Sequence, residues 1–335
     1  MDRIITDKLI RALNKICPNR VSTDLCLSAI SSWRIGGIAD CIVEPASIDE
    51  LKSIIRLAQV EGIPAVVFGA ATNLLFADEG LRALGIRIGK HMAKTEIEGN
   101  TVTAEAGAWV PLLARKIGKA GLAGAEHIVG IPGTIGGLVC MNGGSARKNI
   151  GENVRSVTCV DSEGSVFEMS NSECEFSYRS SVFQQEKKQA IIARVSLHFP
   201  ERNNPGEIRR KMLKILTERN KKFPRKLPNC GSVFLNDPVM YEQIGPPGQV
   251  IEKCGLKGLR IGGAEVSKIH ANFIINIAGA SAKDILSLIA TIQGRVFDMT
   301  GFLLKPEVRY VNELGEISAL NARKLRKIYL SQIRS

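Results

Sequence analysis

The chain has 335 residues, 44% of them hydrophobic and 23% charged, proportions of a folded multidomain protein that exclude a disordered or fibrous one. Its apolar runs fall short of the roughly 20 residues that a membrane-spanning helix needs, and eight scattered cysteines without a CxxC pair exclude a disulfide scaffold and, with only four histidines, give a metal site no support. A formal charge of +12 suits nucleic acid, a membrane surface or a small polyanion such as a nucleotide diphosphate, and composition does not choose among them.

The opening MDRIITDKLIRALNKICP sets Ile5, Leu9, Ala12 and Ile16 on one helical face between charges, which predicts a helix and not a secretory signal. A reducing cytoplasm with free thiols is expected. Strand-like CIVEP precedes SIDELKSIIRLAQVEGIP, where Ser47 and Glu50 read as a capping box and Leu51, Ile54, Ile55 and Ala58 as the apolar face. AVVF then completes a strand, helix, strand unit and closes on the turn GAATN, Gly69 to Asn73, a first candidate phosphate loop.

From Ala93 the pattern alternates: TEIEGNTVTAEAG predicts a hairpin over Glu98 to Asn100, and VRSVTCVDSEGSVFEM another over Asp161 to Gly164. Between them lie a helix from Trp109 to Ala120 and GIPGTIGGLVCMNGG, Gly130 to Gly144, with six glycines in fifteen residues. This spacing is neither G-x-G-x-x-G nor G-x-x-x-x-G-K-[ST], so the two commonest nucleotide folds lose support. Glycine permits close backbone approach, and a turn feeding a helix over Ile135 to Met141 would aim free N–H groups at an anion; with GAATN it predicts a diphosphate cradle.

PERNNPGE, residues 200 to 207, reads as a linker. After it, a helix from Glu207 to Lys222, the Pro-punctuated KFPRKLPNCGSVF, strand-like HANFIINIAG, a helix from Ala282 to Phe297 and a strand PEVRYV predict a separate α+β domain. The last segment, NARKLRKIYLSQIR, spaces Leu325, Ile328 and Ile333 helically among basic residues. The expected divisions are 1–92, 93–203, 204–315 and a basic terminal helix over 316–335.

SSWRIGGIAD, FGAATNLLFADEG, GIPGTIGGLVCMNGG, FSYRSSVF, CGSVF, GLKGLRIGGAEVSKIHANFIIN and KPEVR follow one another in a single order. In that order the chain resembles the UDP-N-acetylenolpyruvoylglucosamine reductase family, flavoenzymes that make UDP-N-acetylmuramate for peptidoglycan. The resemblance implies an α+β fold: a two-lobed FAD-binding domain of the vanillyl-alcohol-oxidase or p-cresol-methylhydroxylase type, 1–92 and 93–203, and a substrate domain, 204–315. It implies that Gly69, Ala71, Thr72, Asn73, Leu74, Gly136 and Gly137 line the FAD diphosphate, with Met141, Asn142, Gly144 and Ser145 near the flavin.

In that family NADPH reduces FAD, hydride passes to an enolpyruvyl ether, and negative charge spreads into the adjacent carboxylate, which calls for a cation and an acid. Arg179 matches the active-site arginine, Ser232 the proton donor and Glu307 the catalytic glutamate, while Tyr178, Lys226, His270 and Asn272 are implied near substrate. Without the resemblance, Arg179 reads as a loop ion pair, Ser232 as a turn cap, and Glu307 as a strand carboxylate beside Arg309. The chain departs from the family pattern at GAATN for G-x-G-S-N, at Leu235 where a lysine is usual (Arg225 or Lys226 could replace that cation), and at Lys305 for a glutamate.

The 53 positions from Arg179 to Ser232 leave no room for a tyrosine-bearing insertion, which implies the shorter subtype. Expected partners are a nucleotide sugar and NADPH, for a monomer in the cytoplasm without nucleic acid, membrane or metal. Two alternatives stay open: a paralogue acting on a different nucleotide-sugar enolpyruvyl ether, and a non-catalytic basic binding protein.

Overall fold

The computed structural model describes residues 4–185, 190–320 and 325. One four-stranded sheet orders Val21–Cys26, Ile38–Val43, Leu81–Arg87 and Ala65–Phe68; a five-stranded sheet orders Thr95–Glu98, Thr101–Glu105, Ile191–His198, Val154–Val160 and Val166–Ser170. Two three-stranded sheets order Arg260–Ile261, Ala264–Val266, Ile274–Asn276, and Ile317–Ala319, Arg309–Val311, Leu74–Phe76. The chain divides into two compact units, Met1–Thr23 with Cys41–Ala70 and Ala83–Arg219, and Asp24–Asp40 with Ala71–Arg82 and Asn220–Ser335.

In the first unit the helix Ile48–Val60 starts where Ser47 Oγ accepts from Glu50 N at 3.1 Å, and it buries Leu51, Ile54, Ile55 and Ala58, as the sequence pattern predicts. The expected box is only half present: the Glu50 carboxylate turns to Ala46 N (2.7 Å) and to a fork from Arg20, not to Ser47 N. The strand after this helix, Ala65–Phe68, is not the neighbour of Ile38–Val43; Leu81–Arg87 inserts between them and pairs in parallel with Ala65–Phe68. In the helix Asp7–Ile16 the buried positions are Leu9 and Leu13, so its inner face is rotated from the expected Ala12 and Ile16.

Both predicted hairpins form, with Gly99 (φ +57°) and Gly164 (φ +75°) at their turns, where L side chains are disfavoured. Their strands bury Val102, Ala104, Val157 and Cys159, with Thr101–Glu105 against the helix Ile135–Cys140 and Val154–Val160 against the helix Ile48–Val60. A core of aliphatic residues from Ile5 to Met212 runs through this unit.

The second unit has its own core, built on the long helix Ala282–Thr300 and on Trp33, Phe234, Ile251 and Ile274. Ser281 and Asp284 close a reciprocal capping box at its start, and Gly301 (φ +74°) ends it. Within the expected terminal helix, Ile317–Ala319 form a strand, so that helix cannot start at 316; apart from the buried Leu325, residues 321–335 lie outside the described residues.

Candidate active site

Thr134 organises the glycine stretch. It is the N-cap of Ile135–Cys140, its Oγ1 accepting from Gly137 N at 3.4 Å, and a backbone bridge ties it to Trp109. A Cβ on Gly69, the first residue of GAATN, would overlap Thr134 Oγ1, so the two predicted turns begin in contact and glycine is what lets them meet. A Cβ on Gly136 would sit 2.9 Å from Ala106 Cβ, whereas at Gly137 it would meet only Thr134 Oγ1, at 3.6 Å. Gly136 therefore serves packing, and Gly137 leaves space.

The expectation of free amides at the start of this helix is corrected here. Ile135 N donates to Ala108 O and Gly136 N to Ala106 O, each at 2.9 Å, and Gly137 N is taken by the cap. The amides of Gly69, Ala70 and Ala71, by contrast, have no partner among the described residues. GAATN is thus the turn with donors to offer an anion, and Ala71 takes the left-handed φ of +51° that glycine would adopt without strain.

At its far end the glycine stretch is sewn to the predicted arginine turn. Asn142 Nδ2 donates to Ser177 O (2.7 Å), Ser181 Oγ to Cys140 O (2.5 Å), Gln184 Nε2 to Cys140 O (2.9 Å) and Arg179 Nη2 to Gly144 O (3.0 Å). Arg179 itself has φ +54°, a conformation of higher energy for a residue that carries a Cβ, kept because Ser177 and Ser180 pair across the turn and Gln184 Nε2 holds Arg179 O. Its guanidinium lies 6.0 Å from the exposed Tyr178 ring. Met141, Asn142, Gly144, Ser145, Tyr178 and Arg179 are therefore brought together.

Ser145 Oγ donates to His127 O at 2.5 Å. His127 is 5% exposed, burial pushes it down to about 4 against a smaller opposing effect of Glu152, and its Nδ1 has no hydrogen-bond partner among the described residues. Glu126 beside it stays ionised: burial alone would raise it, but Lys211 Nζ at 2.9 Å and Gly124 N at 2.7 Å lower it.

In the second unit, Val233 O accepts from Glu307 N (2.7 Å) and Leu235 N donates to Lys305 O (2.9 Å), so the CGSVF and KPEVR motifs run as one antiparallel ribbon around the bridge Phe234–Pro306. Ser232 follows Gly231 (φ +79°), and among the described residues no hydrogen bond engages its hydroxyl. Asn73 Nδ2 donates to Glu307 O (3.1 Å), Arg309 N donates to Asn73 O (3.1 Å), and Leu74 pairs in parallel with Arg309. Asn73, Leu74, Ser232 and Glu307 thus share one framework.

Asn272, expected near substrate, is 5% exposed and uses its whole amide on the serine segment, accepting from Phe234 N and donating to Phe234 O, both at 2.9 Å. His270 Nδ1 accepts from Asn272 N at 3.2 Å, its ring packs with Phe223 and Phe273, and burial lowers its pKa. Lys226 is exposed, and Lys305 faces Asp237 at 3.6 Å. Cys230, 4% exposed, has a thiol that burial keeps protonated, so it is no nucleophile.

Sequence reasoning missed three roles. That of Thr134 had a readable signal, a hydroxyl residue just before a short apolar helix. The clamp made by Asn272 and the orphaned His127 had none, since both depend on partners distant in the chain. Among the described residues no group of three or more His, Cys, Asp or Glu could hold a metal, and no helix is long and apolar enough to cross a membrane.

Residues 223–311 match "UDP-N-acetylenolpyruvoylglucosamine reductase, C-terminal domain", and residues 39–170 match "FAD binding domain". UDP-N-acetylenolpyruvoylglucosamine reductase 1 of Corynebacterium glutamicum is 43% identical over 93% of this chain and 92% of its own, and the reductase of Rubrobacter xylanophilus is 40% identical over 86% and 94%. The crystal structure of the reductase from Thermus caldophilus superposes with a TM-score of 0.73 at 30% identity, covering 87% of this chain and 98% of that one.

Proposed function

The chain belongs to the UDP-N-acetylenolpyruvoylglucosamine reductase family, and on that premise we propose how its own residues perform the NADPH-dependent reduction of UDP-N-acetylglucosamine enolpyruvate to UDP-N-acetylmuramate. The observation that carries the reading is the fourfold stitching of the Arg179 turn to Cys140–Gly144, which fixes a guanidinium beside the glycine stretch. FAD fits this frame: Gly69 and Gly137 keep side chains out, the amides of Gly69 to Ala71 are open to a diphosphate, and His127 offers a buried, neutral nitrogen. Bound FAD supplies the relay of hydride from NADPH to the methylene carbon of the enolpyruvyl group.

The residues do the rest. Hydride addition leaves an electron pair on the carbon next to the substrate carboxylate, and Arg179 opposes that charge through two N–H bonds. Ser232 Oγ gives its proton to that carbon, completing the saturated ether; a hydroxyl this weakly acidic suffices because the carbanion is strongly basic, and water restores the proton. Glu307, on the ribbon with Ser232, holds the proton donor's surroundings polarised, and Asn272 fixes the serine segment. Gly69, Ala71, Thr72, Asn73 and Leu74 hold the diphosphate, and Met141, Asn142, Gly144 and Ser145 border the flavin. The protein acts as a cytoplasmic monomer on small molecules, without nucleic acid or membrane.

Stopped-flow absorbance tests this. The purified protein is expected to be yellow, NADPH to bleach it, and UDP-N-acetylglucosamine enolpyruvate to restore the colour. Bleaching without restoration would transfer the reading to a different nucleotide-sugar enolpyruvyl ether; a protein that takes up no FAD would end it.

A further inference from the structure

The guanidinium of Arg179 is presented by a backbone that favours another shape. Arg179 has φ +54°, a left-handed geometry that a residue with a Cβ adopts about 5- to 30-fold less readily than the right-handed one. The pairing of Ser177 with Ser180 closes the turn, and from that geometry Arg179 Nη2 reaches Gly144 O at 3.0 Å. Gln184 has no part in the chemistry above, yet its side chain grips the strained residue itself.

Gln184 ends the short helical turn Val182–Gln184 and is half-buried. Its Nε2 donates to Arg179 O at 3.1 Å and to Cys140 O at 2.9 Å, so both amide hydrogens are spent on carbonyls. An oxygen in the same place would face two acceptors, which fixes the orientation of the amide. Cys140 is the last residue of the helix Ile135–Cys140, where carbonyls lack helical partners and the helix dipole leaves partial negative charge. One side chain therefore ties the strained arginine to the end of the glycine-stretch helix, across 5 and 44 positions of sequence.

We propose that Gln184 is a positioning residue: by holding the Arg179 carbonyl it keeps the guanidinium aimed for the substrate carboxylate before substrate arrives. This deepens the reading of Arg179 given above and rests on it. Without the bond the turn relaxes toward right-handed geometry, which re-aims the Cα–Cβ bond and takes the guanidinium off Gly144 O. The carboxylate then has to draw the turn back, so the cost falls on binding: apparent affinity drops by the fraction of turns still competent, while a saturated enzyme regains its rate. The two carbonyls ask for a donor and not for a shape. Lysine therefore suits the place, and glutamate, the acceptor-only isostere of glutamine, does not.

The test is stopped-flow reoxidation of the NADPH-reduced holoenzyme over a range of UDP-N-acetylglucosamine enolpyruvate concentrations, in Gln184→Glu, Gln184→Ala and Gln184→Lys. Half-saturation is expected to rise about 5- to 30-fold in Gln184→Glu and Gln184→Ala with the saturating rate within about threefold of wild type, and Gln184→Lys to stay within about threefold in both. Should the new charge keep Gln184→Glu from folding, Gln184→Ala carries the test by itself. Unchanged half-saturation in the Glu and Ala variants would overturn the proposal. Equal losses in all three, or a fall in saturating rate together with a lowered thermal midpoint, would do the same by making the role one of shape. Arg179→Ala separates this from the parent reading: reoxidation that survives it at the wild-type half-saturation would remove Arg179 from the site, whereas its collapse beside unchanged Gln184 variants would remove Gln184 alone.

Discussion

Gly69→Ala probes the meeting point of the two turns. The new methyl would overlap Thr134 Oγ1 and stand 3.2 Å from its Cγ2 and 3.3 Å from its Cβ. Thr134 must turn away, giving up its cap on Gly137 N, worth about 1 kcal/mol, and the crowding itself costs about 1–3 kcal/mol. A less flexible unfolded chain returns about 0.5 kcal/mol, so the expected loss is about 1.5–3.5 kcal/mol. Thr134→Ala alone should cost only the cap, about 1 kcal/mol. In the Thr134→Ala background the methyl at position 69 meets little beyond Cβ, and Gly69→Ala should then cost less than about 1 kcal/mol, a coupling of about 1–3 kcal/mol. Urea unfolding of the four proteins by circular dichroism, with FAD titration of each, measures the cycle. If Gly69→Ala costs as much with alanine at position 134 as with threonine, the turns do not touch through this pair and the reasoning fails.

Three further outcomes follow from the site. Ser232→Ala should leave bleaching by NADPH intact and slow substrate-driven reoxidation by about 10²–10⁴-fold, and equal loss in both half-reactions would remove Ser232 as proton donor. His127, depressed from 6.5 to about 4, is neutral in the fold and takes a proton more readily when unfolded. Its contribution is whole above pH 6.5 and is lost as pH falls toward 4, so His127→Phe should flatten the unfolding-midpoint profile across that window, and an unaltered profile would count against it. Asn272→Ala strands Phe234 N and O in a buried segment and should cost about 2–4 kcal/mol by thermal unfolding, whereas a loss below about 0.5 kcal/mol, that of a surface site, would mean that the clamp is not used.

Much of this was legible in residue order because it is local. Hairpins announced themselves through Gly99 and Gly164, and the helix Ile48–Val60 through Ser47 and its apolar spacing. What escaped was whatever depends on pairing across the chain. Leu81–Arg87 enters the sheet between two strands that sequence order makes look like neighbours, and no periodicity reveals an insertion. The direction of amides escaped too: six glycines beside a helix start suggested free donors, yet Ala106 O and Ala108 O, from a strand end earlier in the chain, had already claimed them. The resemblance alone implied Asn272 near substrate, and its clamp on Phe234 could not be read in the sequence because it joins residues 38 positions apart.

The strand pairing of Leu74–Phe76 with Arg309–Val311 has a consequence for loading. Asn73 and Glu307 are joined by a side-chain bond across 234 positions of sequence, so whatever stiffens the GAATN turn also stiffens the strand that bears the carboxylate. On the proposed site, in which this turn holds the FAD diphosphate, cofactor uptake acts as an assembly signal: deuterium uptake at residues 305–311 should slow when FAD binds, although the ribbon lies far along the chain from the turn. An enzyme coupled in this way sharpens its acid-bearing strand only after the group that delivers hydride is in place.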